Sequence, residues 1–288
     1  MTFLPEHACL LPGTIDPLVV RQCFARPSRL RESAFLRREI AARMHERLAM
    51  IRAEPSLVLD AGCGEGDDLA ALHQRFPRAK LLGLDISHPM LLAAKGAEPV
   101  CADFAALPFP ADSFGMLWSN LALHWHPEPR RALAEWRRVL GNDGLLLFTC
   151  FGPETLAIVR EAFRQADGYA HILPFMEMHD LGDALVDAGF PSPVLDREIL
   201  TVTYTRVEKL LADIRAFGGN ALIGRPRGLM GKAAYRRLTD FLEAQKDAGG
   251  NISLPFEIIY AHAFCTVRQP EKPRESPLFF HPGFRSAP

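Results

Sequence analysis

Residues 60–66 read DAGCGEG, directly after the apolar run SLVL, and two further acids, Asp67 and Asp68, follow. Glycines at positions 62, 64 and 66 make a backbone turn that something must approach closely. The charge indicates what kind of ligand. A helix N-terminus attracts anions, and a phosphate chain wants positive charge or bare N–H groups, so Asp60, Glu65, Asp67 and Asp68 would repel it. The Gly-x-Gly-x-Gly spacing also departs from the dinucleotide pattern Gly-x-Gly-x-x-Gly. A small molecule carrying an ammonium and a sulfonium suits this loop instead.

Two more acids stand at corresponding places downstream. Asp85 ends the run LLGLD, and Asp103 lies in CADF. An acid at the end of the second strand can accept hydrogen bonds from both hydroxyls of a ribose. An acid beside an aromatic, Asp103 with Phe104, can hold an adenine amine and cover its ring. S-adenosylmethionine combines these groups. The candidate cofactor-binding residues are Asp60, Gly62, Gly64, Asp85, Ile86, Asp103, Phe104 and Asn120. Singly, each acid reads equally well as a helix cap or turn residue; the set carries the inference. His124, His126 and Glu128 offer a second chemistry, two histidines and a carboxylate as in non-haem iron sites. Three ligands within five residues, broken by Pro127, fit that geometry poorly. His124 is therefore expected to line an acceptor pocket with Trp125, and His126 to sit in a turn.

The elements that must position these residues alternate. Phe35 to Ile51 has apolar residues at helical spacing, with arginines on the other face. SLVLDAG, AKLLGLD, EPVCADF, SFGMLWSN and GLLLFTCF then read as strands, separated by the helical patterns GDDLAALHQRF, SHPMLLAAK and PRRALAEWRRVL and followed by PETLAIVREAFRQA. Such alternation predicts an α/β fold with a parallel sheet covered on both faces. Open parallel sheets bind ligands at the carboxyl ends of their strands, where the three acids fall. After Ala166, HDLGDALVDAGF reads as a helix ending at Gly189, and PVLDREILTVTY and FEIIYAHAFCTV as strands. The Arg- and Gly-rich stretch at about 204–256 is expected to form a helical lid over that edge. Residues 1–52 are expected to form a helical cap, and the proline-bearing tail 268–288 to be disordered.

The chain has 288 residues, 48% hydrophobic and 23% charged, with formal net charge −1, enough for a full core in an ordinary globular protein. The near-neutral balance argues against a generic nucleic-acid binder. Six scattered cysteines without a Cys-x-x-Cys pair argue against zinc or a disulfide framework and fit a reducing cytosol. The N-terminus does not read as a signal peptide, and no run approaches the ~20 apolar residues of a membrane span. The expectation is a cytoplasmic protein with no nucleic-acid or membrane partner.

VLDAGCGEG, LLGLDIS, CADFAALPF, SFGMLWSNLALHW and RVLGNDGLLLF resemble the ordered motifs of class I S-adenosylmethionine-dependent methyltransferases, most strongly over Leu57 to Phe151. The resemblance implies a Rossmann-like sheet whose last strand is antiparallel and inserted between two parallel ones, within a methyltransferase domain spanning 53–267. SNLALHW lacks the Asn/Asp-Pro-Pro-Tyr/Phe pattern of many amine methyltransferases. With FGPETL, DLGDALVDAGF and EIIYAHAF it resembles the malonyl-acyl-carrier-protein O-methyltransferases of biotin synthesis. That implies an acyl carrier protein partner and an acceptor carboxylate already ionised at neutral pH, needing no strong general base. No catalytic residue is assigned, and Arg215 is the candidate partner for the acceptor carboxylate.

Two groups of basic residues are expected to steer an acidic carrier: Arg26, Arg29, Arg31, Arg37 and Arg38, and Arg225, Arg227, Lys232, Arg236 and Arg237. Such relatives carry an aromatic, often Tyr, in the segment that closes over the cofactor. CFARPSRLRESAFL has no Tyr, leaving Phe24 and Phe35. A likeness to the arginine hydroxylases of complex I assembly keeps that activity open, beside a small-molecule methyltransferase.

Overall fold

The computed structural model describes residues 15–225 and 228–266. The expected tail and Arg227 therefore lie outside the described residues. Seven strands form one sheet: β1 (Leu57–Ala61), β2 (Lys80–Asp85), β3 (Glu98–Cys101), β4 (Phe114–Ser119), β5 (Leu140–Phe151), β6 (Val194–Tyr204) and β7 (Ile252–Phe264). Their spatial order is β3-β2-β1-β4-β5-β7-β6. β1 to β5 run parallel, and β7 lies antiparallel between β5 and β6, as the family resemblance implies. The order reverses direction between β1 and β4, so their carboxyl ends flank the crevice where open sheets take ligands.

Among the described residues ten α-helices accompany the sheet: α1 (Pro17–Phe24), α2 (Pro27–Leu30), α3 (Ala34–Ala49), α4 (Leu69–Arg75), α5 (His88–Leu91), α6 (Pro129–Val139), α7 (Ala157–Ala166), α8 (Met178–Asp187), α9 (Val207–Ala216) and α10 (Lys232–Glu243). The central strands are apolar throughout because both faces are covered. One core packs Ile40, Met44 and Leu48 of α3 with Trp118, and the other packs Trp136, Phe148 and Phe190. α3 also ties down the edge strand, where Arg47 pairs with Asp196 at 2.5 Å and Arg43 with Glu198.

Two elements differ from the sequence pattern. SHPMLLAAK yields the single turn α5, because the run is not amphipathic: Met90 and Leu91 are buried while Leu92 is exposed. α7 starts at Ala157 rather than at Pro153. The preceding residues are tied to β7 instead: the Thr155 hydroxyl donates to Glu257 O at 3.0 Å, and the Glu257 carboxylate accepts from Glu154 N–H at 2.8 Å.

α9 and α10 leave the end of β6, which points the same way as β1 to β5, so the insertion sits at their carboxyl rim. It meets the N-terminal helices there. The Ser33 hydroxyl donates to Ala216 O at 2.8 Å, and Asp16 N–H donates to Ala221 O at 2.8 Å. Among the described residues no helix is long and apolar enough to cross a membrane.

α8 ends where the sequence places its stop. Gly189 takes φ +96°, and Phe190 N–H returns to Leu185 O at 3.0 Å, driving the Phe190 ring fully into the core. A Cβ at 189 would meet only the Arg137 side chain at 3.6 Å, so the cost of adding one is conformational. Gly189→Ala is expected to lower stability by about 1–2 kcal/mol, read as a lower urea midpoint at unchanged slope.

Candidate functional site

The glycine turn is held open by its own backbone. Gly62, Gly64 and Gly66 have φ of +80°, +56° and +79°, the region that side-chain-bearing residues avoid. A Cβ on Gly62 would lie 2.4 Å from the Ala122 Cβ, so the turn after β1 packs directly on the turn after β4. Gly62 and Cys63 N–H both donate to Leu84 O. Asp85 completes the anchor: one carboxylate oxygen accepts from Gly64 N–H at 2.9 Å and the other from Ser87 N–H at 2.8 Å. The Ser87 hydroxyl in turn donates to Phe24 O at the end of α1. A single carboxylate thus joins the glycine turn, the β2 end and, through Ser87, the cap.

These turns line an open cavity of about 110 Å³ at the carboxyl ends of β1, β2 and β4. Five carboxylates line it, those of Asp60, Glu65, Asp67, Asp68 and Asp85, against two guanidiniums, those of Arg37 and Arg38. Asp60 is 3% exposed; burial, then the nearby Asp68, Asp85 and Asp67, push its carboxyl well above the ordinary value. Burial also raises Asp68, although Trp118 Nε1–H (2.9 Å) and the Asn120 amide (3.3 Å) donate to it. Asp85 is raised by burial too, with its backbone N–H partners pulling the other way. The acids outnumber the guanidiniums, so the site gains by receiving further positive charge.

Asn120 lines this cavity, yet its polar atoms are committed. Its Nδ2 donates to Asp68 and to Arg37 O, and its Oδ1 accepts from the Thr149 hydroxyl at 2.8 Å. It orients Asp68 and fixes α3 over the rim. Next to it, Leu121 takes φ +53°, held by its N–H to Thr149, a backbone strain of the kind that clusters at functional sites.

Of the expected cofactor residues, Asp60, Gly62, Gly64, Asp85, Ile86, Phe104 and Asn120 line this cavity, together with Trp125, which the sequence places in the acceptor pocket. Asp103 does not line it. Its carboxylate accepts from Ala105 N–H at 2.8 Å and pairs with His126 Nε2 at 3.5 Å, and the His126 hydrogen bond holds it below the usual carboxylate range. His124 does not line it either. It is 4% exposed and packed among Trp125, Phe151 and Phe175. His126 does sit in a turn, its Nδ1 accepting from Glu128 N–H. His124 is packed among aromatic rings while His126 pairs with Asp103, and among the described residues no three His, Cys, Asp or Glu side chains are placed to share a metal ion.

Arg215 is exposed on α9 and is not among the lining residues. The expectation that it meets an acceptor carboxylate in the cavity is not met. Phe24 lines the cavity, whereas Phe35 is exposed and lies against Phe217. The cap arginines are also reassigned: Arg31 pairs with Glu65 at 2.6 Å, and Arg37 and Arg38 approach Asp67 at 3.7 and 4.0 Å. They pair with the acids of the glycine turn, Arg37 mostly buried and Arg31 and Arg38 still largely exposed. Helical spacing gives no hint of this, because it marks Arg37 and Arg38 only as the non-apolar face of α3 and places Arg31 before the helix.

The raised carboxyls make stability depend on pH. The folded state holds protons that the unfolded chain releases. That component is complete below the unfolded aspartate value of about 3.9 and is lost as pH rises through the raised folded values. Asp60→Asn removes one such group. Its melting temperature is expected to exceed wild type at neutral pH, with the difference closing toward about pH 4. Thermal melts of the two proteins across that range check the sign; a variant less stable than wild type at pH 7 would refute it.

Residues 59–148 match a family described as a methyltransferase domain. Over 265 residues the chain is 41% identical to a malonyl-[acyl-carrier protein] O-methyltransferase of Gallionella capsiferriformans, covering 87% of this chain and 91% of that one. It is 39% identical to the protein of the same name in Laribacter hongkongensis, covering 87% and 90%. Among solved structures, the YcgJ protein from Bacillus subtilis aligns at TM-score 0.56 and 19% identity, over 78% of this chain and 97% of that one, a likeness of fold. S-adenosylmethionine fits the donor set: its cationic groups suit a cavity with five carboxylates, and the side-chain-free glycine turn allows its close approach. The chain belongs to the malonyl-[acyl-carrier protein] O-methyltransferase family and is an S-adenosylmethionine-dependent methyltransferase.

Proposed function

We propose that this protein methylates the free carboxylate of a malonyl group carried on acyl carrier protein, a step of biotin synthesis. The observation that carries the donor half is the excess of buried carboxylate at the carboxyl ends of β1 and β2 beneath the cap. The acceptor half rests on kinship over about nine-tenths of the relatives' length.

S-adenosylmethionine, when bound, supplies an electrophilic methyl group on a sulfonium. Each carboxylate oxygen of Asp85 has a lone pair beyond the one its backbone donor occupies, and these accept the ribose hydroxyls. Ile86, Met90 and Phe104 give the adenine its apolar walls. Asp60 and Asp68 face the cationic end. Arg37, largely buried and donating to Leu30 O at 3.1 Å, answers the carboxylate of the methionyl part. Phe24 and Trp125 close the cavity and exclude water.

The acceptor's carboxylate oxygen forms the new bond to carbon as the carbon–sulfur bond breaks, and the bond pair returns to sulfur. No proton moves, so the protein's task is alignment and dehydration rather than base catalysis. The ester so formed is neutral, and it can enter an apolar elongation site that rejects a charge.

Labelled S-adenosylmethionine incubated with malonyl-acyl carrier protein, malonyl-CoA and malonate tests the reading. Label is expected on the carrier-bound malonyl group in preference to the other two, and no transfer to any malonyl thioester would sink it. Asp85→Asn is expected to weaken S-adenosylmethionine by ~1.5–3 kcal/mol, measured by calorimetry on the folded variant. Lys232 and Arg236 are exposed on α10 and carry the carrier-steering role. The double reversal to Glu is expected to slow methylation of the carrier-bound substrate while sparing malonyl-CoA. The difference should shrink as salt screens the exposed charges.

A further inference from the structure

His124 is a polar group without a partner. It sits in the 3-10 turn Leu123–Trp125 that follows β4 at the binding rim, is 4% exposed, and neither ring nitrogen has a hydrogen-bond partner. Its surroundings are aromatic: Phe151 at 4.7 Å, with Trp125 and Phe175 each at 5.5 Å between ring centroids. Leaving such a group unpaired is costly, and a buried unsatisfied polar atom calls for an explanation. A leucine or phenylalanine would fill this box without the cost.

Of the three rings around His124, Trp125 is the one that also lines the cavity. It is held by parts of both covers. The Phe24 ring of the cap meets it edge-on at 5.1 Å and 84°, and Gly218 of the insertion lies so close that a Cβ there would fall 2.4 Å from the indole. The indole is therefore packed against both covers and beside the imidazole, so it separates from Phe24 and Gly218 only when the covers loosen.

We propose that His124 is the group that hydrogen-bonds the acceptor's carboxylate, in a subsite that opens when the Trp125 ring turns away from Phe24 and Gly218. This rests on the reading that the acceptor is a malonyl thioester. The chemistry favours a neutral donor here. A guanidinium would neutralise the nucleophile and stabilise it as much before reaction as during it. A single N–H orients one carboxylate oxygen and leaves the other unpaired for the methyl, in an aromatic box that strips away water. Burial keeps this imidazole neutral, with its pKa at about 3, so it offers one N–H and one lone pair throughout the physiological range. The role expected of Arg215 passes to a residue inside the fold.

The test compares His124→Phe, which fills the box without an N–H, with His124→Gln, which restores a donor and an acceptor. His124→Phe is expected to fold with wild-type or greater resistance to urea, to bind S-adenosylmethionine normally by calorimetry, and to lose about tenfold or more in kcat/KM for malonyl-acyl carrier protein. His124→Gln is expected to recover most of that loss. In the wild-type complex with S-adenosylhomocysteine, the His124 ring resonances should shift on adding malonyl-acyl carrier protein but not the carrier without malonyl. If the wild-type enzyme methylates the malonyl thioester and folded His124→Phe matches it, this role fails while the proposed activity stands. If both variants lose S-adenosylmethionine binding equally, His124 serves the fold alone and the proposal is overturned. If the wild-type enzyme methylates no malonyl thioester, the activity fails and this role goes with it.

Discussion

Like charges held close together out of water repel, and here five carboxylates share one cavity at the carboxyl ends of the sheet. The surrounding structure manages that repulsion. Asp85 is anchored by two backbone N–H groups, Asp68 by an indole and an amide, and Glu65 and Asp67 by arginines from the cap. Burial and the neighbouring acids push the Asp60 carboxyl well above its ordinary value. A fold optimised for stability alone would not gather these groups. Gathering them stores a demand for positive charge that a sulfonium and an ammonium satisfy, so the site is selective for cations before any shape is considered.

Two segments far apart in the chain close the rim, and each depends on the other. The cap supplies Phe24, Arg37 and Arg38, and the insertion supplies Gly218 against the indole of Trp125. Their connection is polar and buried at Ser33, and β-like at Ile15, which bridges to Leu222. Asn120 links this cover to the sheet below, because one amide group touches the α3 backbone, Asp68 and the Thr149 hydroxyl. The residue after it is forced into a left-handed conformation, and the turn that follows carries His124 and Trp125.

What was legible in the sequence was local or came from resemblance. Strand and helix patterns, the stop at Gly189 and the glycine turn are short-range signals, and apart from the shortened α5 and the late start of α7 they fall where the pattern puts them. The antiparallel β7 between two parallel neighbours came from the motifs' family likeness, not from spacing. The errors share a cause. Arg31 finds Glu65 across 34 positions, and Ser33 finds Ala216 across 183; no periodicity encodes such pairs. Asp103 sits at a strand end like Asp60 and Asp85, but a histidine from the next turn takes it out of the cavity. His124 reads as an ordinary pocket residue, and only its enclosure by three rings shows that its nitrogens are unpaired.

The hydrogen bond from Ser33 to Ala216 has a thermodynamic consequence. It joins the N-terminal cap to the insertion, so the free energy of ordering one is shared with the other. If each ligand favours the closed arrangement, the two are linked through it. By reciprocity the acceptor must then tighten the hold on the donor by the same factor as the donor tightens the hold on the acceptor. Transfer of the methyl neutralises the sulfonium and weakens one side of that exchange, and the linkage transmits the loss to the other. Release of the two products then becomes a cooperative event rather than two independent departures.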